Sequence, residues 1–151
     1  MRILAAALAT SGSLLWFSAP AFSLDLDAPF DEPIFVRVQT YDIPAPACLT
    51  VDELIAFELA IRSRDPVRIG DSLLNSDCLL LSASSHGKAT TASAYGYAWV
   101  DFEHAQPDDG VTFKPVPDSA GPAGFWVPGA YLVDMFSNAN IGPEIRAATG
   151  R

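Results

Sequence analysis

The sequence predicts an α+β protein in which an N-terminal helical hairpin, at residues 48–78, packs on a small antiparallel β-barrel at residues 79–134. Two capped helical segments between the two cysteines predict the hairpin. Short apolar and aromatic runs, separated by glycine- and proline-bearing turns, predict the barrel. A signal peptide at residues 1–23, an acidic, proline-bearing extended segment at residues 24–47 and a tail at residues 135–151 complete the expected organisation.

The N-terminus has the layout of a secretory signal peptide. Arg2 is followed by an apolar run at residues 3–17 and then by a small-residue exit. Cleavage is expected after Ser23, with a cut after Ala21 as the alternative. A retained membrane anchor is the competing interpretation, but Pro20 interrupts the apolar stretch and no basic stop-transfer cluster follows. We therefore expect a periplasmic or secreted protein without a stable membrane anchor.

The composition limits the class of partner. The chain of 151 residues carries 18 acidic and 9 basic residues, and half of its residues are hydrophobic. This length and hydrophobicity are typical of one small folded domain. An acidic surface repels nucleic acid, so we expect no nucleic-acid partner. Solubility is the simplest reason for the charge.

Cys48 and Cys78 are the chain's two cysteines. In an exported protein an isolated pair is most simply a disulfide, which would stabilise the fold by roughly 3–4 kcal/mol. A metal site needs more ligands than two distant thiols, and the two histidines, His86 and His104, lie in separate segments. A catalytic thiol needs a nearby base. The sequence therefore predicts a structural disulfide, with no metal site, no cofactor and no catalytic residue.

The residues between the cysteines carry helix-start and helix-stop signals. Thr50 and Glu53 have the spacing of a capping box, and an apolar run with helical periodicity follows them. This first helix should end before Asp65 and Pro66, because the residue before a proline disfavours helical geometry. Asp65 can then cap a second helix that begins at Pro66 and fades at Asn75. The expected product is a helical hairpin closed at its base by the disulfide.

Short strands with turn signals between them fill the second half of the chain. A further strand in the acidic segment could pair with a barrel edge, and the tail is expected to hold at most one turn near Pro143. The predicted strands lie at residues 34–38, 79–81, 89–93, 95–103, 111–114, 125–127 and 129–133, with a proline- and glycine-bearing loop at residues 115–124.

One piece of this half resembles a known family. Gly124-Phe125-Trp126-Val127, followed by Tyr131-Leu132-Val133, is similar to the bacterial SH3-like (SH3b-type) barrel of exported proteins, in which a glycine precedes a short aromatic-Trp-Val strand. The stretch from Cys48 to Cys78 is also similar to small exported proteins of this kind. The resemblance covers about residues 48–134 and implies an SH3-like barrel that serves binding or cell-wall association. Residues 106–124 depart from it, because they are longer than a minimal barrel needs.

Five aromatic residues are the candidate binding residues. Tyr95, Tyr97 and Trp99 alternate along one strand and therefore share a face, and Trp126 and Tyr131 lie near the late Gly-Phe-Trp-Val strand. Such a face could form a groove that stacks a peptide or a sugar and attracts a cationic group. The competing interpretation is that these aromatic side chains fill the barrel core.

The sequence thus predicts an exported, non-enzymatic binding or accessory module whose barrel groove binds peptidoglycan, or a protein or peptide ligand. Two alternatives stay open. The chain could be a periplasmic inhibitor that presents the loop at residues 115–124 to a hydrolase, or an enzyme with an unrecognised site. In the late strand we expect Phe125 and Val127 to be buried and Trp126 to lie near the surface.

Overall fold

The structure is a computed structural model that describes residues 27–108 and 123–150. These residues form a seven-stranded antiparallel sheet and three short helices. The predicted signal peptide, the strand predicted at residues 111–114 and most of the loop at residues 115–124 lie outside the described residues. The strands are β1 (Asp27–Val38), β2 (Ala45–Cys48), β3 (Cys78–Leu81), β4 (His86–Ser93), β5 (Tyr97–His104), β6 (Ala123–Pro128) and β7 (Leu132–Asp134). The helices are α1 (Val51–Arg62), α2 (Pro66–Asn75) and α3 (Gly142–Thr149), and a 3₁₀ turn covers Gly129–Tyr131.

The predicted fold, an N-terminal helical hairpin on a small SH3-like barrel, is wrong. Strands β1 and β2 precede the helices and belong to the same sheet as the later strands, in the order β3-β2-β6-β5-β4-β1-β7. The hairpin is an insertion between two neighbouring strands, because β2 pairs directly with β3 from Ala45↔Leu81 to Cys48↔Cys78. The described chain is therefore mostly antiparallel sheet, with helices that follow its first two strands.

Prolines explain why the sequence prediction missed β2 and the first part of β1, although it placed a strand at residues 34–38. Strand β1 pairs with β4, and its register shifts between Pro29 and Ile34, which places Pro33 at an irregularity where a ladder tolerates proline. In β2, Pro46 lies opposite Leu80 inside a four-residue strand. Residues 27–48 thus supply two strands, and the strand predicted at residues 34–38 lies between β4 and β7 in the sheet instead of at the edge of a barrel.

The main core lies on the inner face of a strongly curved sheet. The chain just beyond β5 reaches β3, where Ser82 N donates to the Gln106 carbonyl (2.9 Å) and Asp108 N donates to the Leu80 carbonyl (3.0 Å). Alternating residues of the strands point inward and are buried. They include Val36, Val38, Ala45, Ala47, Leu79, Leu81, Ala98, Val100, Phe102, Phe125 and Val127.

The C-terminal tail contains a helix instead of the single turn predicted for it. Helix α3 packs against the inner core through Ile141 and Ile145, which are both buried. The Asn140 side chain holds the approach to the helix by donating to the carbonyls of Gly129 (2.8 Å) and Leu132 (3.0 Å). Two isoleucines four residues apart are a weak sequence signal, although in the folded chain they form one apolar face.

The helical hairpin itself forms where its caps predict it. Thr50 accepts a hydrogen bond from Glu53 N (3.2 Å), and Asp65 accepts from Val67 N and Arg68 N. The predicted disulfide between Cys48 and Cys78 is confirmed. Within the described ranges, no helix is long and apolar enough to cross a membrane.

The hairpin covers part of the sheet's outer face and forms a second apolar cluster there. Because side chains alternate along a strand, the residues between the inward-facing ones point toward the hairpin. The buried members of this cluster are Cys48, Leu54, Phe57, Leu73, Cys78, Leu80 and Tyr97, and Trp126 packs against them.

Candidate functional site

Two adjoining cavities lie where α1 passes over the ends of β5 and β6. One has a volume of about 510 Å³ and the other about 260 Å³, and both are lined by Glu58, Arg62 and Ala130. The first cavity also contacts Tyr95 and Tyr97, and the second contacts Tyr41 and Tyr131. We call this surface, formed by Glu58, Arg62 and the four tyrosines, the tyrosine groove. All four tyrosines of the chain line it.

A tight turn between β4 and β5 places two of the tyrosines. Gly96 has a φ of +85°, a left-handed conformation that favours glycine in hairpin loops. Its amide donates to the Ser93 carbonyl (3.0 Å), and its carbonyl accepts from Gly129 N (2.9 Å), which ties the turn to the end of β6. Tyr95 and Tyr97 on either side of Gly96 are stacked, with ring centroids 6.4 Å apart. Tyr95 remains 54% exposed, whereas Tyr97 is buried.

The other two tyrosines come from the chain before β2 and from the 3₁₀ turn. Tyr41 and Tyr131 meet edge to face, with ring centroids 5.6 Å apart. The Tyr41 hydroxyl donates to the Ala130 carbonyl (3.1 Å), yet the side chain stays 60% exposed. The groove therefore has an exposed aromatic ring at each end, on Tyr95 and Tyr41, and more deeply placed rings between them.

Glu58 is the charged centre of the groove. Its side chain is only 16% exposed, and one carboxylate oxygen accepts a 2.6 Å hydrogen bond from the Tyr97 hydroxyl. The other oxygen lies 3.8 Å from the guanidinium of Arg62, one helical turn later and 76% exposed. The inner wall of the groove thus carries the nearly buried carboxylate of Glu58, and its rim carries the long, exposed cationic side chain of Arg62.

Burial and the Glu58 charge keep two of the tyrosines protonated. Burial is the largest cause that raises the pKa of Tyr97 above its usual range, followed by its hydrogen bond to Glu58 and by the negative charge of that carboxylate, while Arg62 opposes the shift. Burial also raises the pKa of Tyr131, with smaller contributions from Glu58 and Tyr41. Both hydroxyls are therefore neutral hydrogen-bonding groups at physiological pH.

The five predicted binding residues separate into two groups. Tyr95, Tyr97 and Tyr131 line the groove, whereas Trp99 and Trp126 lie next to it as cross-strand partners with ring centroids 5.7 Å apart. None of the five is a buried member of the inner core, although Tyr131 packs against it. Whether these residues bind a ligand stays a prediction.

The two tryptophans serve packing in the structure. Trp126 packs against the cluster under the hairpin, while Phe125 and Val127 are buried on the inner face, as expected from their alternation. Trp99 Nε1 donates to Asp101 (2.9 Å). The Trp99 ring covers Gly124 so closely that a Cβ there would overlap the indole.

Sequence reasoning missed Glu58, Arg62 and Tyr41. Glu58 and Arg62 are separated by four residues on α1, which is also the spacing of an ordinary surface ion pair. Tyr41 lies in a short polar connection between β1 and β2. The only sequence signal was the helical period that puts Glu58 beside buried Leu54, and a carboxylate on the edge of an apolar face is a weak indication of a site.

Comparisons with known proteins do not identify the chain: no family model matches it, and no curated protein or solved structure is significantly similar to it. The resemblance to bacterial SH3-like domains therefore stays a prediction drawn from residues 48–134.

Proposed function

We propose that this chain is an exported, non-enzymatic binding module that holds peptidoglycan in the tyrosine groove. The observation that carries this proposal is the gathering of all four tyrosines around one nearly buried carboxylate, Glu58. Tyrosine gives a large, rigid and amphipathic contact surface at a low cost in conformational entropy. Such rings stack on sugars and on peptide groups, the two components of the cell-wall polymer.

The exposed apolar side chains in the groove support the proposal that it binds a ligand. Tyr41, Tyr95 and Leu59 are each more than half exposed although they border the cavities. Exposed apolar side chains that border a cavity are a common feature of ligand-binding sites. The groove also offers hydrogen-bonding hydroxyls beside the rings, which suits a ligand with many polar groups.

The charges of the groove are complementary to a peptide stem. Peptidoglycan stems carry both amino and carboxyl groups, so an ammonium can approach Glu58 while a carboxylate meets the exposed guanidinium of Arg62. Among the described residues that line the groove, Glu58 is the one carboxylate. Because glycoside hydrolysis ordinarily uses a pair of carboxyl groups, this arrangement favours binding over cleavage.

Export is supported by two separate features. The disulfide between Cys48 and Cys78 is the kind of bond that persists in an oxidising compartment. The signal-like pattern at residues 1–23 agrees with such a location.

Sedimentation with purified cell-wall sacculi tests the proposal. We expect saturable binding of the tag-free protein and about a tenfold weaker affinity for the double variant Tyr41→Ala/Tyr95→Ala, because each aromatic contact is worth about 0.5–1.5 kcal/mol. Phe136→Ala is the matched control, since this aromatic side chain is 84% exposed on the turn after β7, outside the groove. The control should bind like the wild type.

Two results would contradict the proposal. One is absence of saturable binding to sacculi, and the other is an equal loss of affinity in Phe136→Ala and in the groove variant. If the protein does not bind sacculi but captures a single hydrolase, this result would favour the alternative prediction of a periplasmic inhibitor. Sacculus binding can then be competed separately with free stem peptides and with stem-free glycan strands. The stronger competitor shows which part of the polymer occupies the groove.

A further inference from the structure

The strand pair β4–β5 brings together the chain's two histidines outside the tyrosine groove. His86 and His104 lie directly opposite each other across the antiparallel ladder. Their ring centroids are 5.7 Å apart, and the two ring planes are inclined by 31°. They begin β4 and end β5, so segments that are separate in the sequence place both rings at one end of a hairpin.

A β-bulge lies beside this histidine pair. The register shifts between His86 and Gly87, because Gly87 pairs with Phe102 and leaves Glu103 as an extra residue of β5. Bulges re-aim side chains and are frequent next to functional sites. Here the bulge accompanies an exposed His104 that faces a half-buried His86, so solvent reaches the space between the rings.

The hydrogen bond of His86 fixes which of its nitrogens is available. Its Nδ1 lies 3.2 Å from the Ser84 carbonyl oxygen. A carbonyl oxygen can only accept, so Nδ1 carries the proton and the neutral ring keeps its lone pair on Nε2. Metal-ligating histidines have this same arrangement, in which one nitrogen donates to a backbone carbonyl and the other binds the ion.

The turn before β4 holds that carbonyl in place. Ser85 N donates to the Ser82 carbonyl (3.1 Å), and the Ser82 and Ser84 hydroxyls are 2.8 Å apart. The buried Ser85 hydroxyl accepts from Gln106 N (2.9 Å), which connects the turn to the chain just after His104. Both sides of the histidine pair are therefore positioned by ordered backbone, so the imidazole of His86 is oriented before any ligand arrives.

We propose that His86 and His104 form a two-histidine surface site for a borderline divalent transition-metal ion such as Zn²⁺ or Ni²⁺. Imidazole suits these ions, whereas Mg²⁺ and Ca²⁺ prefer oxygen ligands. With metal–nitrogen bonds of about 2.0–2.1 Å, an ion lies about 3 Å from the centre of each ligating ring. The observed separation of 5.7 Å is within the roughly 6 Å that one ion held between two ligating rings allows.

The site leaves coordination positions open. Across residues 27–108 and 123–150, no group of three or more His, Cys, Asp or Glu side chains is placed to hold a metal ion. Water or an external ligand must complete the coordination of an ion held by two histidines, so the binding is weak and exchangeable. The neighbouring Glu103 carboxylate is paired with Lys88 at 3.6 Å, and the acidic net charge of the whole chain favours cations.

Titration of the tag-free, disulfide-bonded protein with Zn²⁺, followed by NMR of the histidine ring nitrogens, tests the site. Before metal is added, His86 should show the tautomer with the proton on Nδ1. Zn²⁺ should then shift His86 Nε2 and a ring nitrogen of His104 along one saturable curve, while Mg²⁺ should shift neither. Lowering the pH should release the ion, because protons compete for the same imidazole nitrogens.

Variants separate this site from adventitious binding. His86→Gln and His104→Gln should each weaken Zn²⁺ binding at least about tenfold, since each removes one of two ligands. Val67→Ala changes an exposed side chain of α2, away from the β4–β5 strand pair, and should bind like the wild type. Unchanged affinity in either histidine variant, or shifts confined to the chain's N-terminal amine, would overturn the proposal. If a variant fails to fold by circular dichroism, the ring-nitrogen shifts of the wild type decide alone. Binding in the tyrosine groove is measured separately and does not enter this outcome.

Discussion

The two faces of the sheet differ in chemistry although the same strands build both. On the inner face, the buried cluster consists only of Val, Ala, Leu, Ile and Phe side chains. On the outer face, the cluster under the hairpin contains a disulfide and the buried Tyr97, whose hydroxyl reaches Glu58. Neighbouring residues separate onto the two faces, as Val127 and Trp126 do, because side chains alternate along a strand.

Under the proposed function, this difference separates the apolar packing of the inner face from ligand binding on the outer face. The buried cluster on the inner face packs the strands and α3 together through apolar side chains only. The outer face combines apolar packing with polar groups that have partners, and it leaves open cavities beside them. We infer that the hairpin depends on its covalent attachment more than the inner core does.

Removal of the disulfide should have the largest effect. The double variant Cys48→Ala/Cys78→Ala opens a loop with a sequence separation of 30 and should lose about 3–4 kcal/mol of unfolding free energy. Urea denaturation measures the loss. Hydrogen exchange should accelerate in α1 and α2 more than in α3, because only the hairpin is attached through the disulfide.

A reductant provides the matched control for this prediction. It should lower the stability of the wild type to that of the double variant and leave the double variant unchanged. If exchange accelerates equally in α3 and in the hairpin, the two faces do not differ in the way described above, and the disulfide stabilises the domain as a whole.

Substitution of Gly124 should have an intermediate effect on the outer face. A Cβ at Gly124 overlaps the Trp99 ring, so Gly124→Ala should cost about 1–3 kcal/mol and change the tryptophan fluorescence. Gly70→Ala is the matched control, because a Cβ there meets no atom of the described chain within 4 Å and the residue is in α2. The control should gain about 0.5–1 kcal/mol. Wild-type stability in Gly124→Ala would mean that the Trp99 ring moves aside freely.

The helices and the disulfide could be predicted from sequence because their signals are local. Thr50 and Asp65 cap helices through their own side chains, and Pro66 has a fixed place in the first helical turn. The disulfide could be predicted from the expected oxidising compartment and from the presence of two cysteines, which permit a single pairing. In each case the deciding interaction spans a few residues or permits a single pairing.

The sheet and the groove could not be predicted in the same way because they depend on distant pairings. Strand β1 meets β4 and β7, which lie about fifty and about one hundred residues further along the chain. The groove unites Tyr41, Glu58, Tyr97 and Tyr131 from four different elements. Periodicity placed Tyr97 and Trp99 on one face of β5, whereas Tyr95 lies in the turn before that strand. Only the position of α1 separates the groove residues from the packed tryptophan.

The hydroxyl of Tyr97 should have the smallest effect, and it connects the outer-face cluster to the groove. Tyr97→Phe removes the hydrogen bond to Glu58 and should cost about 1 kcal/mol near neutral pH. In the unfolded chain tyrosine ionises near pH 10, about its ordinary value, whereas the pKa of Tyr97 is raised in the folded chain. Above that pH the unfolded state releases the proton first, so the wild type loses stability as the pH rises.

Tyr97→Phe should therefore lose less stability than the wild type between neutral and strongly alkaline pH. Urea denaturation across this range measures the difference. Glu58→Gln keeps a hydrogen-bond acceptor but removes the charge, so its alkaline loss should be intermediate, because burial is the largest cause of the raised pKa of Tyr97. If all three proteins lose stability in parallel, the Tyr97 hydroxyl is not held by Glu58, and the nearly buried carboxylate can meet a ligand without first giving up that hydroxyl.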